Sequence, residues 1–121
     1  AKYLMLIKEI TESIQVALQE EIVGRLRFDD IEILVNKHAL DRARQRRVSP
    51  RAVDYSLGRL FKIKNKLAQI PAGQRIWVYD WNREISLGLR RTNPDRLVFM
   101  LNTVYDGRPS RTPGIDKIIG L

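Results

Sequence analysis

The chain has 121 residues, 44% of them hydrophobic and 30% charged, with no cysteine and a single histidine. That length suits one domain with a buried core, and the composition excludes a disordered chain, a disulfide framework and a thiolate metal site. No window approaches the ~18 consecutive apolar residues of a membrane-spanning helix.

The net charge of +8 is regional: residues 37–66 carry ten basic side chains against Asp41 and Asp54, whereas residues 1–36 are net −3 and residues 67–121 net +3. Fifteen of the 22 basic residues are arginine, whose planar fork suits bidentate phosphate contact. The expected partner is therefore a polyanion, and nucleic acid first.

In chain order, Leu4, Ile7, Ile10, Ile14, Leu18 and Ile22 recur at spacings of three and four with Glu9, Glu12, Glu20 and Glu21 off that stripe. The pattern predicts an amphipathic helix over 2–24 that Gly24 ends. An acidic pattern, and no small-residue cleavage site, follows the opening AKYLMLIK, so no signal peptide is expected. IEILV (31–35) reads as a buried strand.

Asn36 can cap a helix over 37–47 whose only apolar residues are Ala39, Leu40 and Ala43, so it packs one narrow face. Ser49-Pro50 opens a second helix that Val53, Leu57, Leu60 and Phe61 carry toward residue 68. Pro71-Ala72-Gly73 is a turn. Beyond it the period changes to that of strands: IWVYD (76–80), EISLGLRR (84–91) and RLVFMLNTVY (96–105) form an antiparallel meander, with turns at 81–83 and 92–95.

Residues 106–121 are rich in Gly and Pro and read as an extended tail on a single domain spanning 1–121, pinned in part by Ile115, Ile118 and Ile119. The order of elements implies an α+β fold, with N-terminal helices packed on one face of a small antiparallel sheet.

On a helix starting at Lys37, the side chains of His38, Arg42, Gln45 and Arg46 share one face. Leu40, Ala43 and Arg47 turn toward the core and its margin, and Asp41 and Arg44 toward water. Taken by itself, such a run fits a solvated basic face as well as a phosphate site. Trp77, Tyr79 and Trp81 alternate along one strand and share a face of the sheet; rings beneath helices usually belong to a core, and Trp81 at the turn is the one expected outside it. Lys62, Lys64 and Lys66 form a diffuse basic strip. No glycine-rich phosphate loop and no metal-ligand spacing is present, so no cofactor and no metal are expected.

The run KHALDRARQRRVSP resembles the His-x-x-x-Arg-x-x-x-Arg helix, with its following turn, of the RegB-type phage endoribonucleases within the RelE/colicin/barnase-like ribonuclease group. His38, Leu40-Asp41-Arg42-Ala43, Gln45-Arg46 and Val48 fall in register with that family's His-Leu-Leu-Asp-Arg-Ala-Ile-Gln-Arg run. Thr103-Val104-Tyr105 is similar to the Thr-Val-Tyr that ends a strand in small members. Element order agrees over 31–105, and dense motif identity covers 38–48.

The resemblance implies a RelE-like fold and a metal-independent, sequence-selective endoribonuclease. Such an enzyme cleaves single-stranded or messenger RNA by 2′-hydroxyl attack, leaving 2′,3′-cyclic phosphate ends. It would work in the cytoplasm, that of the host if phage-encoded, and is compatible with the ribosome or a ribosomal protein as a partner.

His38 would serve as base or acid, Arg42 and Arg46 would hold the scissile phosphate, Arg90 would approach from the sheet, and Tyr105 would act as acid or stack on a base. Lys37, Arg44, Arg47, Lys62, Lys64 and Trp81 would contact RNA more widely. One departure stands out: the family's second histidine lies in a Phe-His-Lys-Ile context, and the corresponding piece here is Leu60-Phe61-Lys62-Ile63, with Phe61 in its place. Alternative readings are a non-catalytic nucleic-acid-binding regulator and a phage inhibitor of a host protein.

Overall fold

The computed structural model describes residues 22–109 and 115–121. Most of the helix expected over 2–24 lies outside them, but Ile22–Gly24 belong to a strand, β1 (Ile22–Phe28). Its half-buried residues alternate with exposed ones. Ile22 and Leu26 are thus spaced by two strand repeats, a separation that also fits one helical turn.

β1 forms an antiparallel hairpin with β2 (Ile31–Asn36) through a tight turn at Asp29 and Asp30, where Asp29 takes a left-handed φ of 60°. β2 is followed by helix α1 (Lys37–Gln45), helix α2 (Pro50–Gly58), a 3₁₀ turn (Leu60–Ile63), helix α3 (Lys64–Ala68) and strands β3 (Arg75–Asp80), β4 (Ile85–Arg91), β5 (Val98–Asp106) and β6 (Ile115–Gly120).

The architecture is α+β, with one six-stranded sheet in the order β1-β2-β5-β4-β3-β6. The β3-β4-β5 meander is antiparallel as expected, but the sheet as a whole is mixed, because β2 runs parallel to β5 and β6 parallel to β3. The described helices follow the first hairpin instead of preceding the sheet. Ile115–Gly120 corrects the expectation of a tail over 106–121: this piece pairs along β3, puts Ile119 into the core, and ends with Leu121 N–H donating to the Tyr79 carbonyl at 2.7 Å. Two β-branched residues in succession at 118 and 119 suit an edge strand, with one side chain inward and the other outward.

Helices cover one face. Ile31, Ile33 and Val35 of β2, Ile76 and Val78 of β3, and Leu87 and Leu89 of β4 meet Leu57, Leu60, Ile63 and Leu67 there. The single helix expected over 50–68 is broken, because a 3₁₀ turn repeats every three residues and so keeps 57, 60 and 63 on one side. On the opposite face Leu34, Val98 and Met100 form a smaller cluster.

Two buried ionic groups fix the loops. Asp80 accepts from Ser56 Oγ (2.6 Å), Arg59 Nη1 (3.3 Å) and the Asn82 and Arg83 amides (2.9 and 3.2 Å), tying α2 to the β3–β4 turn. Arg91 donates to the carbonyls of Ala68, Ile70 and Asn93 at 2.8–2.9 Å, holding the end of α3 against the β4–β5 loop.

The end of α1 shows how local chemistry sets the boundary. Val48 N–H donates to the Ala43 carbonyl (2.8 Å) and Arg47 N–H to the Arg44 carbonyl (3.2 Å), a Schellman closure with buried Val48 following it. The residue at the left-handed position is Arg47, with φ 56°, where a β-carbon is crowded. Arg47→Gly should therefore raise stability by about 0.5–1 kcal/mol, read as a higher urea midpoint with an unchanged slope.

Candidate functional site

The handover from β2 to α1 builds the site. β2 pairs with β5 as far as Val35 opposite Leu101; β5 then runs on to Asp106 without it, and α1 packs along that extension. The turn is sharp because Asn36 Oδ1 accepts from the His38 amide at 2.8 Å, capping the helix. Ala39 and Ala43, one turn apart, face the core. Leu40, expected inward, is instead 39% exposed, since two alanines already fill the narrow contact.

With Ala39 and Ala43 inward, His38 and Arg42 open onto a cleft of about 550 Å³ on the side of the sheet away from α2 and α3. Asn36 and Gly73 stand at its margin, Arg75 and Trp77 come from β3, Arg90 from β4, and Asn102, Thr103 and Tyr105 from β5. Among the described residues its lining contains one imidazole, three guanidiniums and no carboxylate. Arg75 and Arg90 are directly opposite on the β3–β4 ladder, a placement of like charges that ordinary strands avoid.

Four of the five residues expected to do chemistry, His38, Arg42, Arg90 and Tyr105, line this cleft. Arg46, the fifth, is committed elsewhere: its Nη1 donates to Thr103 Oγ1 (3.2 Å) and the Val104 carbonyl (2.8 Å), and its guanidinium lies 3.5 Å from the centre of the Tyr105 ring. Tyr105 in turn meets Trp77 edge to face, with centroids 5.2 Å apart. Arg46 thus lies one turn beyond Arg42, against Tyr105 and the β5 backbone, outside the lining of the cleft. Arg91 faces the opposite way from Arg90, as strand alternation requires.

None of the six residues expected to contact RNA more widely lines the cleft. Lys37, Arg44 and Arg47 lie on exposed parts of α1 and its exit, and Lys62 on the 3₁₀ turn. Lys64 is ion-paired with Asp30, and their hydrogen bond lowers the Asp30 carboxyl below its ordinary range and raises the Lys64 ammonium above its own. Trp81 is 57% exposed at the β3–β4 turn, edge-on to Tyr79 and beneath the Arg108 guanidinium at 4.9 Å. Phe61 is 56% exposed and outside the cleft.

The aromatic strand behaves differently from a helix-covered core. Ile76 and Val78 meet the helices, so Trp77, Tyr79 and Trp81 share the other face, and Trp77 is 2% exposed yet lines the cleft. Sequence reading missed Arg75 and Asn102. Arg75 is two positions before Trp77 on the same strand and so shares its face; that alternation was the available signal.

Among the described residues, no three of His, Asp or Glu converge in a way that could hold a metal ion. Nor is any helix among them long and apolar enough to cross a membrane. Compared with protein-family models, curated proteins and solved structures, the chain matches none.

The Arg46 contacts give a direct test. Arg46→Met keeps the stem but leaves the Val104 carbonyl and Thr103 hydroxyl without their donor. Unfolding in urea should show a loss of about 1–2 kcal/mol. Arg44→Met, on the exposed side of the same helix, should stay within about 0.5 kcal/mol of the native chain.

Proposed function

We propose that this protein is a metal-independent endoribonuclease of RegB type, with a RelE-like arrangement of helices and meander, acting on single-stranded or messenger RNA in a cytoplasm. The observation that carries the reading is the meeting of His38, Arg42, Arg90 and Tyr105 from α1, β4 and β5 in one cleft. The His38–Val48 run supports it from the sequence.

In the proposed reaction the 2′-hydroxyl oxygen attacks phosphorus and the bond from phosphorus to the 5′-oxygen breaks. The products are a 2′,3′-cyclic phosphate and a 5′-hydroxyl, with no net redox change. His38 takes the proton of the 2′-hydroxyl as it attacks. Tyr105, the one phenol among the described residues of the lining, gives a proton to the departing 5′-oxygen, a role that removes the need for an imidazole at position 61. Arg42 and Arg75 hold the non-bridging oxygens, whose charge grows in the transition state. With Arg46 stacked on it, the Tyr105 ring is held in place before substrate arrives.

A second reading, a non-catalytic RNA-binding regulator, is favoured by one observation: Phe61 replaces the family's second histidine and lies away from the cleft. Labelled RNA incubated with the native chain in EDTA separates the two. The nuclease reading expects 2′,3′-cyclic phosphate ends, and intact RNA under steeply salt-dependent binding would mark the regulator.

His38→Ala should lose cleavage. Arg42→Ala and Arg75→Ala should each slow it by roughly 10²–10³-fold, and Tyr105→Phe by at least ~10²-fold. Equal rates for the native and His38→Ala chains would remove the mechanism.

A further inference from the structure

Strand β5 carries one residue more than β4 at the cleft. Leu101 is opposite Leu89 and Thr103 opposite Gly88, so Asn102 has no residue across from it. Such a bulge releases one side chain from the alternation of the sheet and re-aims it; here the released side chain lines the cleft.

Three of the lining side chains carry neutral amides or an aliphatic hydroxyl. Asn36 spends its carbonyl on the His38 amide, and Thr103 accepts from Arg46. The amide of Asn102 has no hydrogen-bond partner among the described residues. A second polar group of the lining is also unsatisfied: Trp77, 2% exposed, has its indole Nε1 buried without an acceptor. The strand between is kept bare by Gly88, where a β-carbon would come within 2.5 Å of Thr103 Cγ2 and 3.2 Å of the Trp77 ring. A partly buried Tyr105 ring closes the same wall.

We infer that Asn102 is the specificity-determining residue of this cleft, reading one unpaired adenine of the bound RNA beside the phosphate held by Arg42 and Arg75. The inference rests on the proposed RNA reading. A primary amide presents an acceptor and a donor side by side. Adenine offers the complementary pair, its exocyclic amine beside a ring nitrogen, in the bidentate match that asparagine commonly makes. Unpaired bases expose that edge, and a wall of aromatic and glycine surface admits a flat ring.

The test uses binding, so that it does not depend on cleavage. Octamers of 2′-O-methyl adenosine, cytidine, uridine and inosine lack the attacking hydroxyl. The native chain should bind oligo(A) at least about 10-fold more tightly than the other three. Asn102→Ala should bring the four affinities within about twofold, leaving oligo(U) affinity nearly unchanged. Asn102→Asp is isosteric, so its folding is not in question; it keeps an acceptor, loses the donor, and should also lose the adenine preference.

Equal binding of all four by the native chain, tighter binding of another base, or an adenine preference that survives both substitutions would overturn the inference. If cleavage depends on His38 while no Asn102-dependent preference is found, the nuclease reading stands and this one fails. If the preference depends on Asn102 while cleavage is absent, the opposite holds.

Discussion

The anchoring of α1 to the length of β5 that runs on past β2 is the constraint on which the cleft depends. Three contacts make it: the Asn36 cap at the start, the small-residue face of Ala39 and Ala43 in the middle, and the Arg46 guanidinium at the end. Each acts on the rotation of the helix about its axis. With the alanines inward, residues 38 and 42 have one direction open to them, and Arg46 one turn later is drawn down onto Thr103, Val104 and Tyr105. A larger residue at 39 or 43 would lift the helix and move His38 away from the sheet side chains it faces, because packed interiors do not absorb volume without shifting.

The local energetics of the cleft run against stability. Arginines stand opposite each other at 75 and 90, Trp77 keeps a buried donor without an acceptor, and a bulge interrupts the β4–β5 ladder at Asn102. A core built only for folding would avoid all three. Compensation is structural: Asp80 and Arg91, both buried, satisfy loop amides and carbonyls at several points and hold the ends of the meander rigid. A scaffold so fixed can display cations close together.

How much of this was legible depends on the range of the interactions. The caps at Asn36 and Ser49, the meander and the shared face of His38 and Arg42 are local, and the residues themselves announce them. The fate of Arg46 was not legible, since helical spacing puts it on the His38 face while a hydrogen bond to β5, 58 residues away in sequence, decides what it does. The strand at 22–28 overlaps the helix expected over 2–24 at its first three residues, because the spacing of Ile22 and Leu26 satisfies both periods. Strand β6 was hidden by the Gly and Pro that precede it, and by a parallel pairing with β3 that no neighbouring turn foretells. Asn102 carries no local mark at all: its place in the cleft comes from a register shift between two strands.

The central claim is that the cleft seats an RNA phosphate beside His38. Since the chain has one histidine, its imidazole gives one set of signals in a ¹H–¹⁵N correlation spectrum. Titration with a 2′-O-methyl RNA octamer should shift that set saturably in the native chain and far less in Arg42→Ala. An imidazole signal that stays in place while the RNA binds would contradict the account, because binding would then be occurring on another surface.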